Sequence, residues 1–158
     1  MESKKQISFD VEGKPPKKSQ WGTSDAILVI KLREAALKSR NDAYLFPCYH
    51  GPIKLNLTVY APNITYMKYK QYGDDDPNKF IGDLDSLVSG VCEYLQPAPK
   101  DITFEPSPLF NGKNEIGPDI PLIIKNDSQI VEVCAKKMHD DFLHYHVEIE
   151  FIGFSHVP

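Results

Sequence analysis

Apolar and polar residues alternate along several stretches of the chain. Ile7, Phe9 and Val11 do so near the start, and Ile53, Leu55, Leu57 and Val59 further on. Val131, Val133 and Ala135 repeat the pattern, as do Tyr145, Val147, Ile149 and Phe151. A period of two belongs to a strand with one buried face, so strands are predicted around residues 7–11, 53–59, 130–136 and 145–151. Ile120 to Ile124 are nearly continuously apolar and predict a further short, buried strand.

Two stretches change to the helical period. Leu84, Leu87, Val88, Val91 and Leu95 follow i, i+3, i+4, i+7 spacing, and Pro97 and Pro99 stop that helix. Residues 26–40 carry Ile27, Ile30, Leu32, Ala35 and Ala36 for a buried side, with Thr23, Ser24 and Asp25 as N-cap candidates. Between the elements, Gly13-Lys14-Pro15-Pro16-Lys17-Lys18 reads as an exposed loop. Residues 63–80 are polar and tyrosine-rich, and residues 96–119 read as a long proline-rich surface loop. Helices interleaved with strands predict an α/β or α+β fold: a mixed β-sheet with two main helices packed on it.

At 158 residues, one domain covering 1–158 is expected. No apolar run approaches the length of a membrane span. The opening MESKKQISFDVEG has no apolar segment after its lysines, and Cys48, Cys92 and Cys134 are too few and scattered for a disulfide framework. A cytoplasmic protein with reduced thiols is the expectation. Net charge is −4, which does not by itself announce a nucleic-acid binder. Residues 1–40 nevertheless hold nine of the 18 basic residues and five of the 22 acidic ones. A positive segment beside an acidic remainder suits a phosphate-contacting surface next to a carboxylate site. A solvated start built on Lys4, Lys5, Lys14, Lys17 and Lys18 accounts for the same count.

Gly82-Asp83-Leu84-Asp85-Ser86-Leu87 carries the strongest chemistry. Two carboxylates two residues apart share a face only if the first residues are still extended, as at a loop-to-helix junction. There a divalent ion can bridge them, and the helix dipole favours their charge. The competing role is N-capping of the helix amides. Asp127, just ahead of the 130–136 strand, offers a third carboxylate, or else an Asx-turn that starts the strand. Carboxylates on separate segments are what an oxygen-ligated Mg²⁺ or Mn²⁺ site requires.

The pair GDLDSL and NDSQIVEVCAKK resembles the RusA-type Holliday-junction resolvases. Their pattern has a D-L-D-N-L-like segment opening a helix, then D-D-x-Q-V opening a strand, then a lysine ten residues past the second aspartate. Asp83 and Asp85 match the first pair, Asp127 the third catalytic aspartate, Gln129 the glutamine and Lys137 the lysine. The first strand followed by Gly13-x-Pro15-Pro16 also resembles the family's opening. The chain departs from it at Ser89, where members often carry a lysine, at Ser86 and Asn126, and in a basic run reduced to Lys79. The resemblance implies a metal-dependent homodimeric endonuclease that resolves Holliday junctions by paired nicks. Asp83, Asp85 and Asp127 would bind Mg²⁺, and Lys137 would assist. Lys17, Lys18, Lys79 and Lys125 are candidate DNA contacts that replace the missing charge. Tyr66, Tyr69 and Tyr72, interleaved with Lys68 and Lys70, suit an unstacked base or simply an exposed edge. The alternatives are a DNA-junction-binding protein of the same fold without turnover, or a nuclease acting on other branched DNA.

Two other groups invite chemistry. His139, His144 and His146 lie close enough in sequence for a zinc site, but no cysteine stands at ligand spacing. Cys48-Tyr49-His50 is read as an incidental thiol–imidazole pair. No glycine-rich phosphate loop is present.

Overall fold

The computed structural model describes residues 5–43, 48–62, 64, 81–100 and 105–153. Four strands form the sheet: β1 (Lys5–Glu12), β2 (Ile53–Ala61), β3 (Ile130–His139) and β4 (His144–Phe151). Their spatial order is β1-β4-β2-β3. β4 lies antiparallel to both β1 and β2, and β2 lies parallel to β3. A parallel neighbour needs a crossover, which is made by α2 (Leu84–Tyr94). The other helix, α1 (Ala26–Asp42), connects β1 to β2. The chain is thus a single α+β domain, a four-strand mixed sheet with two helices packed on it.

The period-two pattern buries one face of the sheet. Ile7, Phe9 and Val11 of β1, Ile53 to Val59 at alternate positions of β2, and Tyr145 to Phe151 at alternate positions of β4 are all at most 7 % exposed. The opposite face carries Asp10, Glu12, Lys54, His146, Glu148 and Glu150. Among the described residues, no helix is long and apolar enough to cross a membrane.

Four expectations need correction. The 13–18 loop is not an exposed excursion, because Pro15 and Pro16 are buried. The segment crosses α2 at Gly90, where an added Cβ would collide with the Pro16 carbonyl oxygen. Ile27 is 44 % exposed, while α1 turns Ala26, Val29, Ile30, Leu32, Arg33, Ala36 and Arg40 inward. Residues 120–124 form no strand. Leu122, Ile123 and Ile124 are fully buried, but Ile123 and Ile124 donate to the Leu95 carbonyl at 3.0 and 3.2 Å instead of entering a ladder. Finally, 96–119 is more than a surface loop. It contains short 3₁₀ turns at Pro108–Phe110 and Asn114–Ile116, with Phe110 and Ile116 buried.

Arg33 explains how that segment is held. Its guanidinium is fully buried and donates to five carbonyls: Tyr94, Gln96, Ile116, Gly117 and Ile120, at 2.7–3.0 Å. It also lies 4.9 Å from the Trp21 ring. Arg40, one face-repeat further along α1, donates to the Leu122 carbonyl at 2.9 Å. Two of the basic residues that suggested a phosphate surface are therefore structural.

Candidate functional site

The Asp-x-Asp segment opens α2 as expected. Gly82 takes a positive φ of 95°, which an L side chain rarely adopts, and turns the chain into the helix. Asp83 is the N-cap residue in extended conformation, and Asp85 lies in the first turn. The Asp83 side chain makes no capping hydrogen bond; the helix begins through its backbone, with the Leu87 amide 3.0 Å from the Asp83 carbonyl. Both aspartates are exposed. The capping position is occupied, yet the carboxylate is not spent on it.

Lys17 and Lys18 are brought to these acids by the proline loop. The Tyr94 hydroxyl of α2 donates to the Lys17 carbonyl and accepts from the Gln20 amide at 2.9 Å. The Ser19 amide donates to Glu93 Oε2 at 2.7 Å. Ser19 itself sits at φ 61°. The result is a cleft of about 470 Å³ lined by Pro16, Lys17, Lys18, Asp83, Asp85 and Ser89, among others.

A second cleft, also about 470 Å³, adjoins the first and shares Lys18 and Ser89 with it. Asp127, Lys125, Lys100 and Gln96 line its far side. Asp127 stands in a 3₁₀ turn ahead of β3, and its amide donates to Gln96 Oε1 at 3.0 Å. The Asx role belongs to Asn126, not Asp127. Asn126 Oδ1 accepts from the Ser128 amide at 2.8 Å, closing a capping box with Gln129. Gln129 Oε1 accepts from the amides of Lys125 and Asn126, and its Nε2 donates to the carbonyls of Tyr49 and Gly51. The glutamine of the D-x-Q pattern thus fixes the turn, and among the described residues the aspartate two positions before it keeps its carboxylate uncommitted.

The acids do not gather into one cluster. α2 has 11 residues, about 16 Å of helix; Asp85 stands in its first turn and Asp127 beside Gln96, past its last. Among the described residues, no three His, Cys, Asp or Glu side chains form a group that could hold a metal ion. Asp83 and Asp85 are an oxygen-donor pair of the kind Mg²⁺ takes together with water and phosphate, so the pair suits such an ion. Among the described residues, Asp83, Asp85 and Asp127 form no such three-acid group.

Lys137 lines neither cleft. It faces inward on β3, with its Nζ 3.5 Å from the Ile64 carbonyl. Lys79, with Tyr66, Tyr69, Tyr72, Lys68 and Lys70, lies outside the described residues. Lys100 and Glu93 were missed from sequence. Their signal was proximity: Glu93 lies one turn beyond Ser89, and Lys100 follows the prolines that end α2. Cys92 reports the local field. Its thiol is pushed up to about 11, first by burial and then by the charge of Asp127, with Lys18 opposing.

The histidines are engaged elsewhere. His144 bonds Asp140 at 2.7 Å and stacks on Tyr60 and Phe142, each at 4.4 Å. His146 lies between Asp10 at 2.8 Å and Glu148 at 3.4 Å. Cys48 and His50 approach more closely than neighbours on one strand would, with Sγ 4.0 Å from Nε2, because they precede β2 rather than lie in it. Burial raises the Cys48 pKa despite Lys125 and Arg40 nearby, which disfavours the thiolate.

The chain matches no known protein-family model and no curated protein.

Proposed function

We propose that the chain is a RusA-like, Mg²⁺-dependent endodeoxyribonuclease that resolves Holliday junctions as a homodimer. The observation that carries this reading is the cleft at the start of α2, where Asp83, whose side chain makes no capping hydrogen bond, and Asp85 line one cavity with Lys17 and Lys18. A purely structural Asp-x-Asp would have spent its oxygens on the helix amides. Mixed charge in one cleft suits a phosphodiester: lysines neutralise phosphate oxygens while acids hold a cation.

In this reading Asp83 and Asp85 would hold the ion. When bound, Mg²⁺ supplies phosphate polarisation and a more acidic water. Lys17 and Lys18 position the DNA backbone by charge, and the adjoining cleft extends that track to Lys100 and Lys125. Asp127 lines the same track. A two-fold junction that needs two matched cuts suits a two-fold dimer.

The test is cleavage of a synthetic four-way junction with Mg²⁺ or Mn²⁺. Asp85→Asn is expected to lower cutting by about a hundredfold or more while junction binding persists. Equal cutting by both proteins would remove Asp85 from the chemistry. A second reading has its own support. Ser89 stands where family members often carry a lysine, and the described residues hold no three-acid group. Both favour a junction binder without turnover. Gel-shift binding with no nicking under any divalent ion would select it, and a panel of flap, nicked and linear DNAs would reveal a different branched substrate.

A further inference from the structure

The turn that carries Lys17 and Lys18 is held in a conformation its own residue does not favour. Ser19 has φ 61°, the one non-glycine with a positive φ among the described residues. The left-handed region is costly for a residue with a Cβ, and such a turn persists only where its surroundings over-determine it. Those surroundings are the last turn of α2. The Ser19 amide donates to Glu93 Oε2 at 2.7 Å, and the Tyr94 hydroxyl bonds Lys17 and Gln20 on either side. Within the turn, the Lys17 amide donates to Gln20 Oε1 at 2.8 Å. One well-made hydrogen bond offsets a strain of the size expected at Ser19.

Glu93 is otherwise ill suited to a phosphate surface. It lines the second cleft with Lys18, Lys100 and Lys125, where its charge opposes any phosphate those lysines attract. Among the described residues it joins no group of three metal-ligating side chains either. What its carboxylate does hold is the backbone of Ser19, the residue next to Lys18. Lys18 lines both clefts and Lys17 the first, so the placement of both cations depends on that turn.

We propose that Glu93 is a positioning residue: through the Ser19 amide it fixes the turn that sets Lys17 and Lys18 against the clefts, and it acts on phosphate binding by that route, not by its charge or by holding a cation. This rests on the clefts being a phosphate track, as the nuclease reading has it.

Glutamine separates the three roles, because it keeps an oxygen acceptor and drops the charge. Binding of a fluorescein-labelled four-way junction by the full chain is followed by anisotropy, without divalent ions. Glu93→Ala is expected to weaken binding about tenfold, and Glu93→Gln to recover the parent's affinity to within about threefold. Ser19→Gly removes the strain that the tether offsets, so Glu93→Ala combined with Ser19→Gly is expected to recover it as well. Equal weakening by alanine and glutamine would make the charge itself necessary, and tighter binding by both would make repulsion the whole effect. Either result, or no rescue by Ser19→Gly, would overturn the proposal. A readout without DNA is tryptic cleavage after Lys17 and Lys18, mapped by mass spectrometry. Glu93→Ala is expected to speed it about tenfold, with the glutamine and double variants close to the parent. A parent chain that binds no junction would remove the reading of the clefts, while the tryptic order still decides whether Glu93 holds the turn. A cleavage rate that Glu93→Ala leaves unchanged would overturn the proposal in either case.

Discussion

Arg33 is the residue on which most of the irregular backbone depends. A cation buried without a carboxylate is costly unless its protons are matched, and five carbonyls on two sides match them. Burial pulls its pKa down to about 9, still well above neutral pH, so the charge persists in the folded state. Arg33→Met would strip donors from all five carbonyls, and a loss of about 3–5 kcal/mol is expected in urea denaturation. Arg33→Lys should recover less than half, because an ammonium cannot span the fork. The cysteines give a second residue-level expectation. Cys134 is exposed, Cys48 half-buried and Cys92 buried with its pKa near 11. Iodoacetamide followed by peptide mass mapping of the native protein should label Cys134 first and Cys92 last.

At the scale of elements, α2 couples the fold to the candidate site, since the helix that buries Leu87 and Val91 also presents Asp83, Asp85, Ser89 and Tyr94. Tyr94→Phe would release the Lys17 carbonyl and the Gln20 amide together. A stability loss of about 1–2 kcal/mol is expected, with weaker junction binding because Lys17 and Lys18 lose their anchor; titration by fluorescence anisotropy checks it. This element was legible in the sequence, because i, i+3, i+4 spacing names its buried side directly. So were β1, β2 and β4, whose alternation matches burial residue for residue. β3 was legible only as a strand, because a bulge opposite Ile53 and Lys54 shifts its register and leaves Val131 on the outside. The run at 120–124 misled for a different reason. Apolar pattern reports burial, and these residues are buried, but their amides go to the end of α2. Nothing in the pattern announced that two arginines of α1 would point inward. The uncommitted carboxylates of Asp83 and Asp127 were equally hidden, since capping by backbone or by Asn126 is a geometric outcome.

Across the whole molecule, two tyrosines tie the packing of the layers to pH. Tyr145 is fully buried at the centre of the sheet, between Val11 and Val59 in register. Its hydroxyl has no hydrogen-bond partner among the described residues. Burial raises its pKa above the ordinary 10.0, and burial also raises that of Tyr94. The folded state therefore holds both protons more tightly than the unfolded state does. The stability this confers is complete below pH 10 and is lost as pH climbs past that value, because only the unfolded chain can then release the protons. Acid should leave this contribution untouched. Tyr145→Phe removes one of the two groups and an unmatched hydroxyl with it. The variant is expected to be at least as stable as the parent at pH 7, by 0 to about 1 kcal/mol. Its melting temperature should also fall less steeply between about pH 9 and pH 11. Thermal melts across that range, followed by circular dichroism, check both expectations. A variant that is markedly less stable at neutral pH would mean that the hydroxyl has a partner, and that the sheet is held at its centre by more than apolar contact.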